Sequence, residues 1–269
     1  MYFERDGIRF HYRDTGNGVS FVYQHGLGGD LSQPLGFFES GIDGVRLLSM
    51  DCRAHGETTP VGPEDMIGIG AFADDVIGFM DARGVERAVI GGISMGAAIA
   101  LNIALRYPAR VQGLILQRPA WLDQRMPDHL RPLAQIGDLI REHGAVEGAM
   151  IFESSETYSN LLQEAPDVAA SALAQFAHPR AEEAVVRLLR IPRDAPCRDR
   201  AWRSLRTPAL VLANRFDSIH PLDYGETLAR EIPGAVFREI VSKSISVEQH
   251  AADVRREVEE FVRRVVGLG

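Results

Sequence analysis

Five consecutive residues, Gly92-Ile93-Ser94-Met95-Gly96, match Gly-x-Ser-x-Gly. An apolar run of strand length begins at Ala88, and an apolar run of helix length follows to Leu101. In that setting the pentapeptide reads as a sharp strand-to-helix turn that lifts Ser94 above the sheet edge. The flanking glycines let strand and helix approach closely. With 26 glycines in the chain the pattern alone would be weak, and a plain Gly-Ser turn is the bland reading. A serine hydroxyl is a poor nucleophile at neutral pH, so Ser94 needs a base and the base needs an orienting acid. The order expected for a serine of this kind is serine, acid, histidine.

The histidines after Ser94 are His129, His143, His178, His220 and His250. The first three fall in a helical stretch, where surface or structural roles are the expectation. His250 stands where the loop after the last strand meets the last helix, and is assigned as general base. His220, just before Pro221, is held in reserve. Asp217, in the loop after the strand Ala209–Ala213, is assigned as the acid. Asp123 is its rival, and a turn or helix-cap role is its bland alternative. Asp223 and Asp253 read as first-turn helix charges. A tetrahedral oxyanion needs two N–H donors. Met95, next to the nucleophile, supplies one, and Leu27, in His25-Gly26-Leu27-Gly28-Gly29, supplies the other. His25 is expected to brace that loop by hydrogen bonding.

The elements that must position these residues follow from pattern. Residues 2–13 alternate around Asp6-Gly7 as a hairpin would. Val19–Gln24, Val45–Met50, Ala88–Ile93 and Val111–Leu116 read as strands, with a helix over Ala71–Arg83. After Pro119 the rhythm changes. Residues 120–204 show no strand, only helical stretches (Leu130–His143, Val168–Phe176, Ala181–Leu189) broken by prolines. Strand and helix alternation then returns with Ala209–Ala213, Asp223–Glu231, Ala235–Val241 and a helix from His250 to Val266. The expected organisation is an α/β core of residues 1–119 and 205–269, with 120–204 as a helical cap inserted after the sixth strand.

Bulk properties set the boundaries. The chain has 269 residues, is 45% hydrophobic and carries a formal charge of −8, which argues against nucleic acid or anionic membrane as a main partner. No apolar run reaches spanning length and no signal-peptide pattern opens the chain, so a cytoplasmic setting is expected. Cys52 and Cys197 fit no metal spacing and read as free thiols. Lys243 is the one lysine among 29 basic residues, which reads as compositional habit.

Taken together, the His25-Gly26 loop, Asp51-x-Arg53-x-His55-Gly56, the Gly92–Gly96 elbow, the Asp217 loop and His250 resemble the α/β-hydrolase fold family. Two departures stand out: alanine follows Arg53 where glycine is usual, and Gln249 precedes His250 where glycine is common. The resemblance implies an eight-stranded, mostly parallel sheet flanked by helices and a Ser94–Asp217–His250 triad. It also implies acyl transfer with no metal or organic cofactor. Serine at the apex separates the chain from members that use aspartate there.

The expected substrate is a small-to-medium, largely apolar carboxylic ester or lactone, bound near His25, Gly26, Trp121, Leu122, Met126 and Phe152. The alternatives are a carbon–carbon hydrolase of vinylogous diketones, a cofactor-free perhydrolase, and a small-molecule receptor with little turnover. A homo-oligomer is possible.

Overall fold

A computed structural model describes residues 1–268. Its strands are β1 (Tyr2–Arg5), β2 (Ile8–Gly16), β3 (Val19–Gln24), β4 (Val45–Met50), β5 (Ala88–Ile93), β6 (Val111–Gln117), β7 (Ala209–Ala213) and β8 (Val236–Glu239). They form one sheet in the order β1-β2-β4-β3-β5-β6-β7-β8. The β1–β2 and β2–β4 pairs are antiparallel, and the remaining pairs are parallel. Asp6 (φ 51°) and Gly7 (φ 73°) turn the first hairpin in the left-handed region, as a tight two-residue hairpin turn requires. β5 and β7 are buried along their whole length, which is why they read as unbroken apolar runs.

Strand order makes the site's position a consequence of topology. The chain leaves β3 toward β4 on one side and leaves β5 toward β6 on the other. The crevice at the carboxyl ends of β3 and β5 is therefore a switch point, where open α/β sheets bind ligands. Leu27 follows β3 and Ser94 follows β5.

Helices cover both faces. α1 (Ser32–Phe37) and the last helix, α9 (Val247–Val266), lie on one side, where Val254, Val258 and Phe261 pack with Phe21, Val89, Ile115 and Leu210. On the other, α2 (Ile69–Ala82), α3 (Met95–Arg106) and α8 (Leu222–Glu231) bury Phe72, Val76, Ile99, Ile103 and Leu228. The fully buried Arg53 guanidinium donates to both Asp75 oxygens (2.6 and 2.9 Å), pinning the loop after β4 to α2. Removing one partner of such a buried pair costs about 3–5 kcal/mol.

Between β6 and β7 the chain is helical: α4 (Arg131–Glu153), α5 (Glu156–Glu164), α6 (Pro166–Ala174) and α7 (Val186–Arg190). α4 bends at Gly144, whose φ of 76° interrupts the helical backbone. Some expected boundaries move. α1 and α5 had no counterpart in the sequence reading, the expected helix over Ala181–Leu189 shrinks to α7, and β8 is shorter than Ala235–Val241. The consequential shift is α9, which starts at Val247 rather than His250. The Ser246 hydroxyl caps it by accepting from the Gln249 amide (3.1 Å). That shift carries His250 off the loop and into the helix. No helix is long and apolar enough to cross a membrane among the described residues.

Candidate active site

Ser94 sits at the junction of β5 and α3 with φ 56° and ψ −111°, a left-handed backbone that a non-glycine residue adopts only when its surroundings enforce it. Two contacts do so. The Ser94 amide donates to the Gln117 carbonyl on β6 (2.9 Å), and the Ser94 carbonyl accepts from Ala98 in α3 (3.1 Å). The glycines make the junction possible: a Cβ on Gly92 would meet the Gly96 backbone, and one on Gly96 would meet the Gln24 carbonyl.

The Ser94 Oγ lies 2.9 Å from Nε2 of His220. On the other side of the ring, His220 Nδ1 lies 2.9 Å from Asp217 Oδ1. The tautomer consistent with both contacts has Nδ1–H donating to the carboxylate and Nε2 accepting the serine proton. Asp217 builds this arrangement locally. Its Oδ1 also accepts from the amides of Ile219 (3.2 Å) and His220 (3.1 Å), an Asx-type turn that carries the ring three residues along back over the carboxylate. Its Oδ2 accepts from Arg118 Nε (2.8 Å) and Nη2 (2.5 Å), at the carboxyl end of β6.

Electrostatics follow from the burial of this group. Burial alone would raise the Asp217 carboxyl, but the facing His220 and Arg118 outweigh it and hold the group far below the ordinary carboxylate range. Burial lowers His220, and Arg118 adds to that, while Asp217 partly offsets both; the net direction is down. The ring is therefore neutral at pH 7 and able to accept a proton.

His250 is not part of this line, contrary to the sequence-based assignment. It is fully buried in the first turn of α9, donates from Nδ1 to the Val241 carbonyl (2.8 Å), and packs near Phe37. Its Nε2 has no partner among the described residues, and burial pushes its pKa down to about 4. The reserve candidate, His220, occupies the place expected for it. The rival acid Asp123 is also elsewhere, accepting from the Arg200 amide (3.1 Å).

The Leu27 and Met95 amides donate to no oxygen among the described residues, and Met95 opens α3, whose dipole favours negative charge there. His25 ties the Leu27 loop down: Nδ1 donates to the Gly26 carbonyl (2.8 Å), and Nε2 accepts from the Cys52 amide (3.0 Å). The Gly26 amide is held by Gln33 (2.9 Å).

A cavity of about 130 Å³ opens over Ser94. Leu27, Ile93, Leu133, Val168 and Ile219 form its apolar wall; Gln33, Arg118, Gln175 and Lys243 are among its polar groups. Of the residues expected to bind substrate, Gly26 lines it, but His25, Trp121, Leu122, Met126 and Phe152 do not; both ring nitrogens of His25 are taken up in bracing the Leu27 loop. Trp121 and Phe152 are core, with Phe152 packed on Phe176 and Tyr158, because the wall facing Ser94 comes mainly from α6 rather than from residues 121–126. Arg118, Gln175 and Lys243 went unremarked as site residues. A charged residue directly after a buried strand was the available signal for Arg118. A larger groove of about 730 Å³, lined by Glu64, Arg125, Asp138, Arg190 and Arg193 among others, does not include Ser94. Among the described residues no group of three His, Cys, Asp or Glu side chains is placed to hold a metal ion.

Comparison with known proteins agrees with this architecture. The family model for the alpha/beta hydrolase fold matches residues 19–245. A 2-hydroxy-6-oxononadienedioate/2-hydroxy-6-oxononatrienedioate hydrolase of Paraburkholderia phymatum is 28% identical, over 86% of this chain and 82% of its own. The enol-lactonase of Burkholderia xenovorans LB400 superimposes with a TM-score of 0.72 at 26% identity, covering 97% of this chain and 99% of its own. A thermophilic esterase of Thermogutta terrifontis shares the fold with a TM-score of 0.77 at 24% identity, covering 98% and 97%. With the strand order, the serine turn and a match spanning most of its length, this chain belongs to the α/β-hydrolase fold family.

Proposed function

We propose that this protein is a serine hydrolase that cleaves a small carboxylic ester or lactone through an acyl-enzyme, with His220 as its base. The observation that carries this reading is the unbroken contact from Ser94 Oγ to His220 to Asp217. In the first step Nε2 of His220 takes the Ser94 proton as Oγ attacks the carbonyl carbon. The oxyanion forms against the Leu27 and Met95 amides, which need no reorganisation to receive it. Collapse expels the alcohol, or opens the lactone, with the proton passing from His220 to the departing oxygen. Water, deprotonated by the same nitrogen, then attacks the acyl-enzyme; the second tetrahedral species releases the acid, and Ser94 recovers its proton. Asp217 holds the ring's tautomer and stabilises the imidazolium without being protonated.

The apolar wall of Leu27, Leu133, Val168 and Ile219 suits a short acyl chain, and a cavity of about 130 Å³ leaves little room for a bulky one. Similarity to the enol-lactonase supports the lactone side of this reading. The similarity to a dienedioate hydrolase along most of both chains favours one second reading, hydrolysis of a carbon–carbon bond in a vinylogous diketone. The two diverge on substrate: p-nitrophenyl esters test the first, a ring-fission dienoate the second.

The test is hydrolysis of short p-nitrophenyl esters by wild type and Ser94→Ala. The expected result is turnover by wild type that falls by at least ~10³-fold in the variant, the scale of a triad member's contribution. A folded wild type inert toward esters but active on the dienoate would overturn ester hydrolysis in favour of the second reading.

A further inference from the structure

The single lysine of the chain lies at the Ser94 cavity. All 28 other basic side chains are arginines, yet Lys243 joins Arg118 in lining this pocket, from the segment between β8 and α9. That segment is held in place. The Ser244 amide donates to the Ser242 hydroxyl (3.2 Å), the Ile245 and Ser246 amides donate to the Ser242 carbonyl (both 3.0 Å), and the Ser244 hydroxyl donates to Asp167 of α6 (2.5 Å). Lys243 itself is half-buried and makes no hydrogen bond or ion pair among the described residues. Burial first, and then the nearby Arg118, lower its pKa, with Asp167 and Asp217 opposing.

The nearby carboxylates already have partners. Asp217 accepts from Arg118 and His220, and Asp167 accepts from Ser244 at the first turn of α6, where the helix dipole favours its charge. Arg118 is committed through Nε and Nη2 to Asp217. Lys243 is therefore the group at the cavity whose charge is left to a ligand. A half-buried ammonium without an acceptor is unfavourable until an anion reaches it.

We propose that Lys243 receives a free carboxylate of the substrate, so that the preferred substrate is the monoester, or the carboxyl-bearing lactone, of a short dicarboxylic acid. This rests on the acyl-transfer reading for where the scissile carbonyl sits, and adds the substrate's second end. The carbonyl lies at Ser94 and the apolar wall takes the intervening methylenes. The carboxylate meets Lys243, with Arg118, the Ser244-bound Asp167 and the Gln33 and Gln175 carboxamides in the same cavity. The cavity, about 130 Å³, favours a short chain over a long one.

The test compares p-nitrophenyl hemisuccinate and hemiglutarate with the uncharged p-nitrophenyl butyrate and valerate. The quantity read is the ratio of kcat/KM, anionic over neutral, in wild type, Lys243→Met and Lys243→Arg. The expected result is a wild-type ratio above one that falls at least tenfold in Lys243→Met, mainly through KM, and is partly restored in Lys243→Arg. A second readout is independent of turnover. In Ser94→Ala protein, glutarate should protect Lys243 from reductive methylation, quantified on the peptide that carries it, whereas butyramide should not.

Protection without ester turnover would overturn the acyl-transfer reading and leave the anion site standing. Ester turnover with an unchanged ratio in Lys243→Met and no protection by glutarate would overturn the anion site alone. An equal loss on both ester classes, again without protection, would reduce Lys243 to a structural role and also overturn it.

Discussion

At Asp217 one carboxylate organises three neighbours: it holds Arg118 through one oxygen, and its own loop amides and the His220 ring through the other. This hub fixes a pH dependence whose sign can be worked out. In its proposed role as base His220 works when neutral, and it titrates below its ordinary value of about 6.5. Activity should be full at pH 7 and fall only as pH drops through that depressed value. Arg118 is one of the causes of the depression, so Arg118→Met should move the acid limb of kcat/KM to higher pH. A limb that stays put or moves lower would show that His220 does not titrate in the catalytic step.

The positions of Ser94, Met95 and Leu27 at the ends of β5 and β3 were legible in the sequence because strand, glycine-rich turn and helix start are all local signals. His220 was legible only as a reserve. What places it is the three-residue return of the Asp217 turn, a backbone property that apolar periodicity does not report.

At the scale of elements, the start of α9 decided which histidine could reach Ser94. Ser246-Val247-Glu248-Gln249 has the Ser-x-x-Gln form of a capping box, and the Ser246 half of it is made. That signal was present in the sequence but was obscured by the polar, irregular run of Ser242–Glu248 before it. Once the helix begins at Val247, His250 lies one turn in and turns to the core, where burial keeps it neutral and the Val241 carbonyl fixes its tautomer.

Its cost is paid in acid. The folded pKa of about 4 is below the unfolded value of about 6.5, so the stabilising difference is present above pH 6.5 and is lost as pH falls toward 4. Denaturant unfolding from pH 7 to pH 4 should show wild type losing on the order of 2–3 kcal/mol more than His250→Gln over that window. Equal pH slopes for the two proteins would contradict a buried, neutral His250.

Across the whole molecule, the fold was legible because its central parallel strands, β5 and β7, are buried on both faces and its hairpin turn is explicit. The helices between β6 and β7 were visible as a class, but their contacts were not. Phe152, apolar and at helical spacing, packs into the insert instead of facing the cavity, whereas Leu133 and Val168 reach it. Periodicity shows that a helix has a buried stripe, not which partner covers it.

Tertiary contacts bring the insert to the site. Arg180 donates to the Gly56 and Thr58 carbonyls (3.0 and 2.8 Å), Ser244 meets Asp167, and a Cβ on Gly28 would fall on the Gln175 carboxamide. In the reading proposed here, the sheet divides the work. β5 supplies the nucleophile, β7 supplies both acid and base, β6 supplies the arginine that steadies them, and the β8–α9 connection is left to face the substrate with Lys243.

The most direct test of that division is kcat/KM on a short p-nitrophenyl ester for His220→Ala beside His250→Gln, with fluorophosphonate labelling of Ser94 read in parallel. His220→Ala should lose at least ~10³-fold and label slowly. His250→Gln should stay within about tenfold of wild type and label at nearly the wild-type rate, because it sits in the core behind the site. The reverse pattern, with His220→Ala active and His250→Gln inert though folded, would contradict a His220 base and return that role to the β8–α9 connection.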